Sequence, residues 1–231
     1  MGRTLRPNDD ALTFHAFSRG NNGGDVFHDD DDRRAFLAAL ARTQLRYPFR
    51  LYGYCLMTNH FHLLLRPEAG VSIGRVMQSL LVAHTRRYHK RHGSLGHVWQ
   101  GRFKSPPIQD DGHLWTVLRY VEANPLRAAL VADPADYPWS SYPAHLGHRP
   151  DPLLSELPGW AYLGTTPLER SQAWQAKVLA AVAEPDLGAI RASLVSGRPF
   201  GDPDWAAARG DELGLNAARR PRGRPRKERA S

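Results

Sequence analysis

The chain has 231 residues, enough for one well-buried core and a smaller appendage, and 42% of them are hydrophobic, an ordinary globular share. Its 31 Lys+Arg against 23 Asp+Glu give a net charge of +8 and a pI near 10, a surplus that favours polyanionic partners without fixing a fold. Cys55 is the single cysteine, which excludes an intrachain disulfide and a thiolate metal cluster, and the absence of an apolar leader or a membrane-length apolar run points to a reducing, cytoplasmic compartment.

In chain order, LTFHAFSRGNNGG reads as a short strand ending in a Gly/Asn turn. DDDDRRAFLAALARTQLRY follows, its acidic start and basic end suiting the two poles of a helix, with Phe36, Leu37, Leu40 and Leu45 as the core stripe. The run Asp29 to Asp32 is read as that helix start rather than as a metal cluster. FRLYGYCLM and HFHLLLR are two β-rich runs joined by Thr58 and Asn59, which predicts a hairpin. SIGRVMQSLLVAHTRRYHKRH is a helix whose Ile73, Val76, Met77, Leu80, Leu81, His84 and Tyr88 recur at intervals of three and four. GHVWQGRFKS reads as a returning strand, and HLWTVLRYVEAN as a third helix halted by Pro125. This order predicts an α+β fold, an antiparallel sheet with helices packed on one face. After residue 148 the texture becomes Pro/Gly-punctuated, and the last stretch cannot bury a core. The expected organisation is a main domain over 1–148, a small helical extension over 149–215 and a disordered basic tail over 216–231.

On a strand, residues two apart share a face, so His60 and His62 stand side by side while Phe61 and Leu63 face the other way. Two neutral imidazoles so placed supply two-thirds of a divalent metal site, or else are polar members of a half-exposed strand. The third helix can supply the remainder. Leu114, Val117, Leu118 and Val121 form its apolar stripe, and Tyr120 and Asn124 fall on one flank, a turn apart. Asn124 offers a carbonyl oxygen as a hard ligand, or is simply the last helical residue before a proline. Tyr120 offers a phenol that could attack, or is an aromatic at the edge of the core.

Four blocks, YGYCLMTNHFHLLLRP, GSLGHVWQGRFKS, LRYVEANPLRAALV and YPWSSY, in that order, resemble the single-tyrosine transposases of the histidine–hydrophobe–histidine superfamily. The C-terminal SGRPFGDPDW and RRPRGRPRK further resemble the REP-associated tyrosine transposases within it. The resemblance implies a ferredoxin-like sheet, His60, His62 and Asn124 as metal ligands, and Tyr120 as nucleophile. Thr58 stands where many relatives have Pro, and Phe14 where Tyr is common; neither touches that set. The implied activity is cleavage and rejoining of single-stranded or hairpin, REP-like DNA through a 5′-phosphotyrosine. The implied cofactor is Mg²⁺ or Mn²⁺, although imidazoles would also accept Zn²⁺ or Ni²⁺. The alternative is a catalytically silent DNA-binding regulator on the same fold. The partner is DNA and not membrane, with monomer and homodimer both open, in the bacterial cytoplasm at the nucleoid.

Cations interleave with aromatics in RRYHKRHGSLGHVWQGRFK, as grooves for single strands require. Arg86, Arg87, Lys90, Arg91, Arg102 and Lys104 are expected to face DNA, with Trp99 and Phe103 in the core. Arg222, Arg224, Arg226 and Lys227 of the tail are expected to touch phosphates, since its Arg-Pro alternation stays extended.

Overall fold

The computed structural model describes residues 12–180 and 182–215. Arg222, Arg224, Arg226 and Lys227, and with them the expected tail, lie outside the described residues. Strand β1 spans Thr13–Arg19 and helix α1 spans Asp30–Arg46. The Asp29 carboxylate caps α1 by accepting from the Asp32 N–H at 3.1 Å, and Asp30 to Asp32 fill the first turn, where the helix dipole favours negative charge. Strands β2 (Phe49–Leu56) and β3 (His60–Pro67) form the expected hairpin, closed by the Met57 N–H donating to the His60 carbonyl at 2.9 Å. Helix α2 (Ile73–His92) starts under a Ser72 cap and stops at Gly93, which takes a left-handed φ of 60°. Then come the two-residue strand β4 (Pro107–Ile108), α3 (Asp111–Glu122), and the single turns α4 (Asn124–Arg127) and α5 (Tyr142–His145). Helices α6 (Pro167–Leu179), α7 (Glu184–Ser196) and α8 (Pro203–Glu212) complete the described chain.

The sheet runs β2-β3-β1-β4, with every pair antiparallel, as the α+β reading requires. The pleat of β3 divides the molecule. Phe61, Leu63 and Leu65 enter one apolar cluster with Phe36 and Leu40 of α1 and Val76, Met77 and Leu80 of α2. Each of these side chains is essentially fully buried, worth about 2 kcal/mol apiece. Leu64 enters a second cluster, with Val117, Leu118 and Val121 of α3 and Trp174, Ile190 and Leu194 of α6 and α7. Helices therefore cover both faces, α1 and α2 one of them and α3 with α6 and α7 the other, where a single covered face was expected. Both sheet edges are occupied: Trp139 and Ser141 bond to the backbone of β2, and Phe200 pairs with Pro107 and Gln109 beside β4.

Three local expectations are corrected. GHVWQGRFKS is not a strand; only isolated bridges, Gly20 with Trp99 and Phe17 with Lys104, tie it to β1. Gly96 (φ 93°) and Gly101 (φ 70°) break the extended run. Leu45 is 86% exposed because, five residues after Leu40, it lies about 140° round the helix; Thr43 takes the core position. Helix α3 ends at Glu122, and Pro125 belongs to the next turn rather than halting the third helix. The acidic run is indeed a helix start, held by Arg91 on Asp29 and Asp32, both at 2.6 Å. No helix among the described residues is long and apolar enough to cross a membrane.

His84 lies in the α2 core among Phe27, Phe36 and Trp99, its Nε2–H donating to the Val26 carbonyl at 3.0 Å. Burial pushes its pKa down to about 4, against that hydrogen bond, which favours the proton. The unfolded chain takes up this proton near 6.5 and the native state resists it, so stability is intact above pH 6.5 and declines as pH falls towards 4. Urea unfolding at pH 7 and pH 4 should show His84→Leu losing roughly 3 kcal/mol less than the wild type over that interval.

Candidate active site

His60 and His62 project from β3 onto the face that α3 covers, opposite Arg19 and Phe17 of β1 in register. The imidazole centroids are 5.1 Å apart with the rings perpendicular. The half-buried Phe17 ring packs against both, at 5.6 and 4.9 Å. Each imidazole is oriented through Nδ1: His60 bonds to Asn59 Oδ1 at 2.7 Å, and His62 to His15 Nε2 at 2.8 Å. His15 reaches it from β1, 2% exposed and with its ring 5.0 Å from that of His62. Burial lowers His15 to about 3 and His60 to about 4, the latter helped by the positive charge of Arg19. His62 falls well below the usual imidazole range, through burial first and then through His15 and His60. All three rings are therefore neutral at physiological pH, with one lone pair each.

Helix α3 brings Tyr120 to these rings. Asp110 caps it through the His113 N–H at 2.9 Å, and its stripe of Leu114, Val117, Leu118 and Val121 seats it on the sheet. Gly53 permits the close approach, since a Cβ there would stand 2.3 Å from Leu118 Cδ1. The rotation of α3 is fixed by Glu122, which is fully buried. Its carboxylate accepts from the Ser141 hydroxyl and from the Trp174 indole N–H (2.8 Å), and pairs with His145 Nδ1 (2.6 Å). The Tyr120 ring, 8% exposed, then lies 5.7 Å from His62, perpendicular to it, and 6.1 Å from His15. Asn124 opens α4 rather than ending α3, yet stays close, its Nδ2–H donating to the Tyr120 carbonyl at 3.4 Å.

The structure thus brings His60, His62 and Tyr120 together, with Asn124 one turn beyond Tyr120 and bonded to its carbonyl. No group of three His, Cys, Asp or Glu residues suited to a metal ion occurs among the described residues, and Asn124 is the amide that the family resemblance offers beside the two imidazoles. The donor set fits a divalent cation on its chemistry: two neutral imidazoles, each with Nδ1 engaged and Nε2 left over, beside an amide oxygen. The arrangement can polarise an anionic oxygen next to a phenol.

The α2 cations are not part of this cluster. Arg86, Arg87 and Lys90 are exposed on the helix that covers the opposite face of the sheet. There Arg86 joins Arg46 and Arg75 around a cleft of about 470 Å³. Arg91 is committed to Asp29 and Asp32 and is not offered to a phosphate. Arg102 is exposed, and the Lys104 ammonium donates to the Val195 carbonyl at 3.3 Å. Trp99 is in the core as expected, its indole N–H donating to Thr85. Sequence reasoning passed over His15, Phe17 and Arg19, although the alternation of FHAFSR already sets all three on one face.

Residues 10–124, half the chain, match the model of the IS200-like transposases, and the chain belongs to that family. It is similar to a Haemophilus influenzae protein named "Putative REP-associated tyrosine transposase", at 29% identity over 136 residues, covering 50% of this chain and 77% of that protein. Its fold resembles that of a REP-associated tyrosine transposase solved bound to a REP hairpin. The TM-score is 0.54 at 16% identity, over 68% of this chain and 92% of the other.

Because Glu122 joins α3 to α5 and α6, Glu122→Ala should cost about 3 kcal/mol or more, leaving three polar partners stranded. Glu122→Gln, which retains an acceptor for Trp174, should cost clearly less. Urea unfolding followed by tryptophan fluorescence separates the two.

Proposed function

We propose that the chain is a metal-dependent, single-tyrosine DNA nuclease and strand transferase that acts on single-stranded or hairpin-forming DNA. The reading rests on one juxtaposition: the Tyr120 ring beside His62, in a cluster completed by His60 and Asn124. Family membership supports it, as does the fold shared with a transposase solved on a REP hairpin.

Tyr120 Oη attacks phosphorus, the bond from phosphorus to the 3′-oxygen breaks, and the 5′ side remains esterified to the phenol oxygen. The phenol loses its proton and the departing 3′-oxygen gains one, so the products are a 5′-phosphotyrosine and a 3′-hydroxyl. Since one ester replaces another, a second 3′-hydroxyl can reverse the step without ATP. Mg²⁺ or Mn²⁺ on His60, His62 and Asn124 would supply Lewis-acid stabilisation of charge on a non-bridging phosphate oxygen. His15 and Asn59 hold the two ligand rings in the tautomers that keep Nε2 unprotonated. The buried Tyr120 ring and the half-buried Phe17 ring flank His62 and limit its exposure to water. Arg102 on the segment bridged to β1, and the tail cations Arg222, Arg224, Arg226 and Lys227, are assigned to flanking phosphates.

Incubation with Mn²⁺ and a palindromic single-stranded oligonucleotide should give a protein–DNA adduct that survives denaturation. Tyr120→Phe should abolish the adduct with the fold intact, and EDTA should abolish it in the wild type; a wild-type yield from Tyr120→Phe sinks the assignment of the nucleophile.

Separately, His15→Leu should weaken Mn²⁺ binding roughly 10- to 100-fold in a titration of free Mn²⁺ by electron paramagnetic resonance. His15→Gln, which keeps an acceptor for His62, should recover part of the loss.

A further inference from the structure

Arg127 of α4 packs directly against the proposed nucleophile. Its guanidinium carbon lies 4.3 Å from the centroid of the Tyr120 ring, and one of its N–H groups donates to the Tyr120 carbonyl at 2.6 Å. The same residue is exposed on its other side. Among the described residues it has no carboxylate partner, in contrast to Arg91, which is held by two aspartates. An arginine used only to cap a helix end gains from a neighbouring acid, and this one has none among the described residues. On α7, Leu187, Ile190 and Leu194 are buried in the cluster that contains Val117 and Val121 of α3. Arg191, four residues after Leu187 and three before Leu194, stands at the exposed edge of that α7 face. Arg191 is exposed and has no acidic partner among the described residues. Two arginines without an acidic partner on packed elements, one of them over the face of the Tyr120 ring, gain stability when an anion joins them.

We propose that Arg127 and Arg191 form a phosphodiester cradle on the outer side of Tyr120, contributed jointly by the family domain and the C-terminal helical extension. The proposal rests on the reading of Tyr120 as the residue that meets a DNA strand, and it adds a binding site for the phosphate and a role for α7. The guanidinium of Arg127 donates to a non-bridging oxygen of the phosphate presented to the phenol. Arg191 takes the same phosphate or the adjacent one, and neither residue forms or breaks a covalent bond.

Arg127→Gln is the informative variant, because it keeps an N–H to cap the Tyr120 carbonyl and removes only the charge. With Mn²⁺ and a palindromic single-stranded oligonucleotide, its rate of adduct formation at saturating DNA should fall roughly 100-fold or more, at an unchanged melting temperature. Arg191→Gln should lower the rate less, by roughly tenfold, and added guanidinium ion should restore part of the activity of Arg127→Ala. An Arg127→Gln variant that forms adduct at the wild-type rate overturns the proposal.

A second arm needs no chemistry. Binding of a fluorescein-labelled single strand, measured by anisotropy across a KCl series, should show the log–log slope reduced by about 0.7 for each arginine removed. An unchanged slope in Arg127→Gln/Arg191→Gln overturns the cradle. A reduced slope in a protein whose wild type forms no adduct supports the cradle and sinks the covalent reading, so the two fail separately.

Discussion

Everything in this molecule turns on the two-residue period of β3. Phe61, Leu63 and Leu65 on one face carry the core beneath α1 and α2, and His60, His62 and Leu64 on the other carry the site. A slip of one residue would exchange the faces, burying imidazoles under α1 and presenting phenylalanine to α3. The antiparallel pairing with β1 locks the register and loads the same face with His15, Phe17 and Arg19. The site is therefore a property of the sheet before any helix contributes to it.

The helix that completes it is positioned by polar groups as much as by apolar ones. Leucine and valine side chains seat α3 but leave its rotation loosely defined. Glu122, with a buried carboxylate shared by Ser141, His145 and Trp174, leaves little choice. Its partners come from the segment after α3 and from α6, and α6 and α7 share one apolar cluster with α3. The chain that follows the family domain thereby determines where Tyr120 points.

Much of this was legible in the chain. The hairpin, α1, α2 and α3 follow from local periodicity and, for α1, from its acidic start, and local signals survive folding; the caps at Ser72 and Asp110 emerge in the structure. His60, His62, Tyr120 and Asn124 stood out as candidates because strand and helix periods place residues on faces, and the family resemblance supplied their roles. What escaped depends on contacts distant in sequence. His15 meets His62 across 47 residues, and Glu122 meets Trp174 across 52. Arg91 looked like a DNA-facing cation because nothing near it in the chain reveals that Asp29 and Asp32 are folded against it. Likewise, the β character of GHVWQGRFKS was outweighed by two glycines with positive φ, whose effect on pairing emerges only in three dimensions.

The charge arrangement around the phenol has a consequence for the order in which ligands can act. The candidate metal ligands are all neutral, and the fixed charges around Tyr120 and His60 on the site face are those of Arg19 and Arg127, with Arg191 beyond. A divalent cation approaching such a pocket finds no charge on the candidate ligands themselves, and it meets repulsion from the guanidinium groups. A phosphodiester reverses both terms, since it pairs with the arginines and adds an anionic oxygen to the ligand set. On the proposed reading, metal and DNA strand each improve the site for the other, and by linkage the gain is equal in both directions. A site built in this way holds its cation weakly until a strand is in place, which confines the reactive arrangement to the complex with DNA.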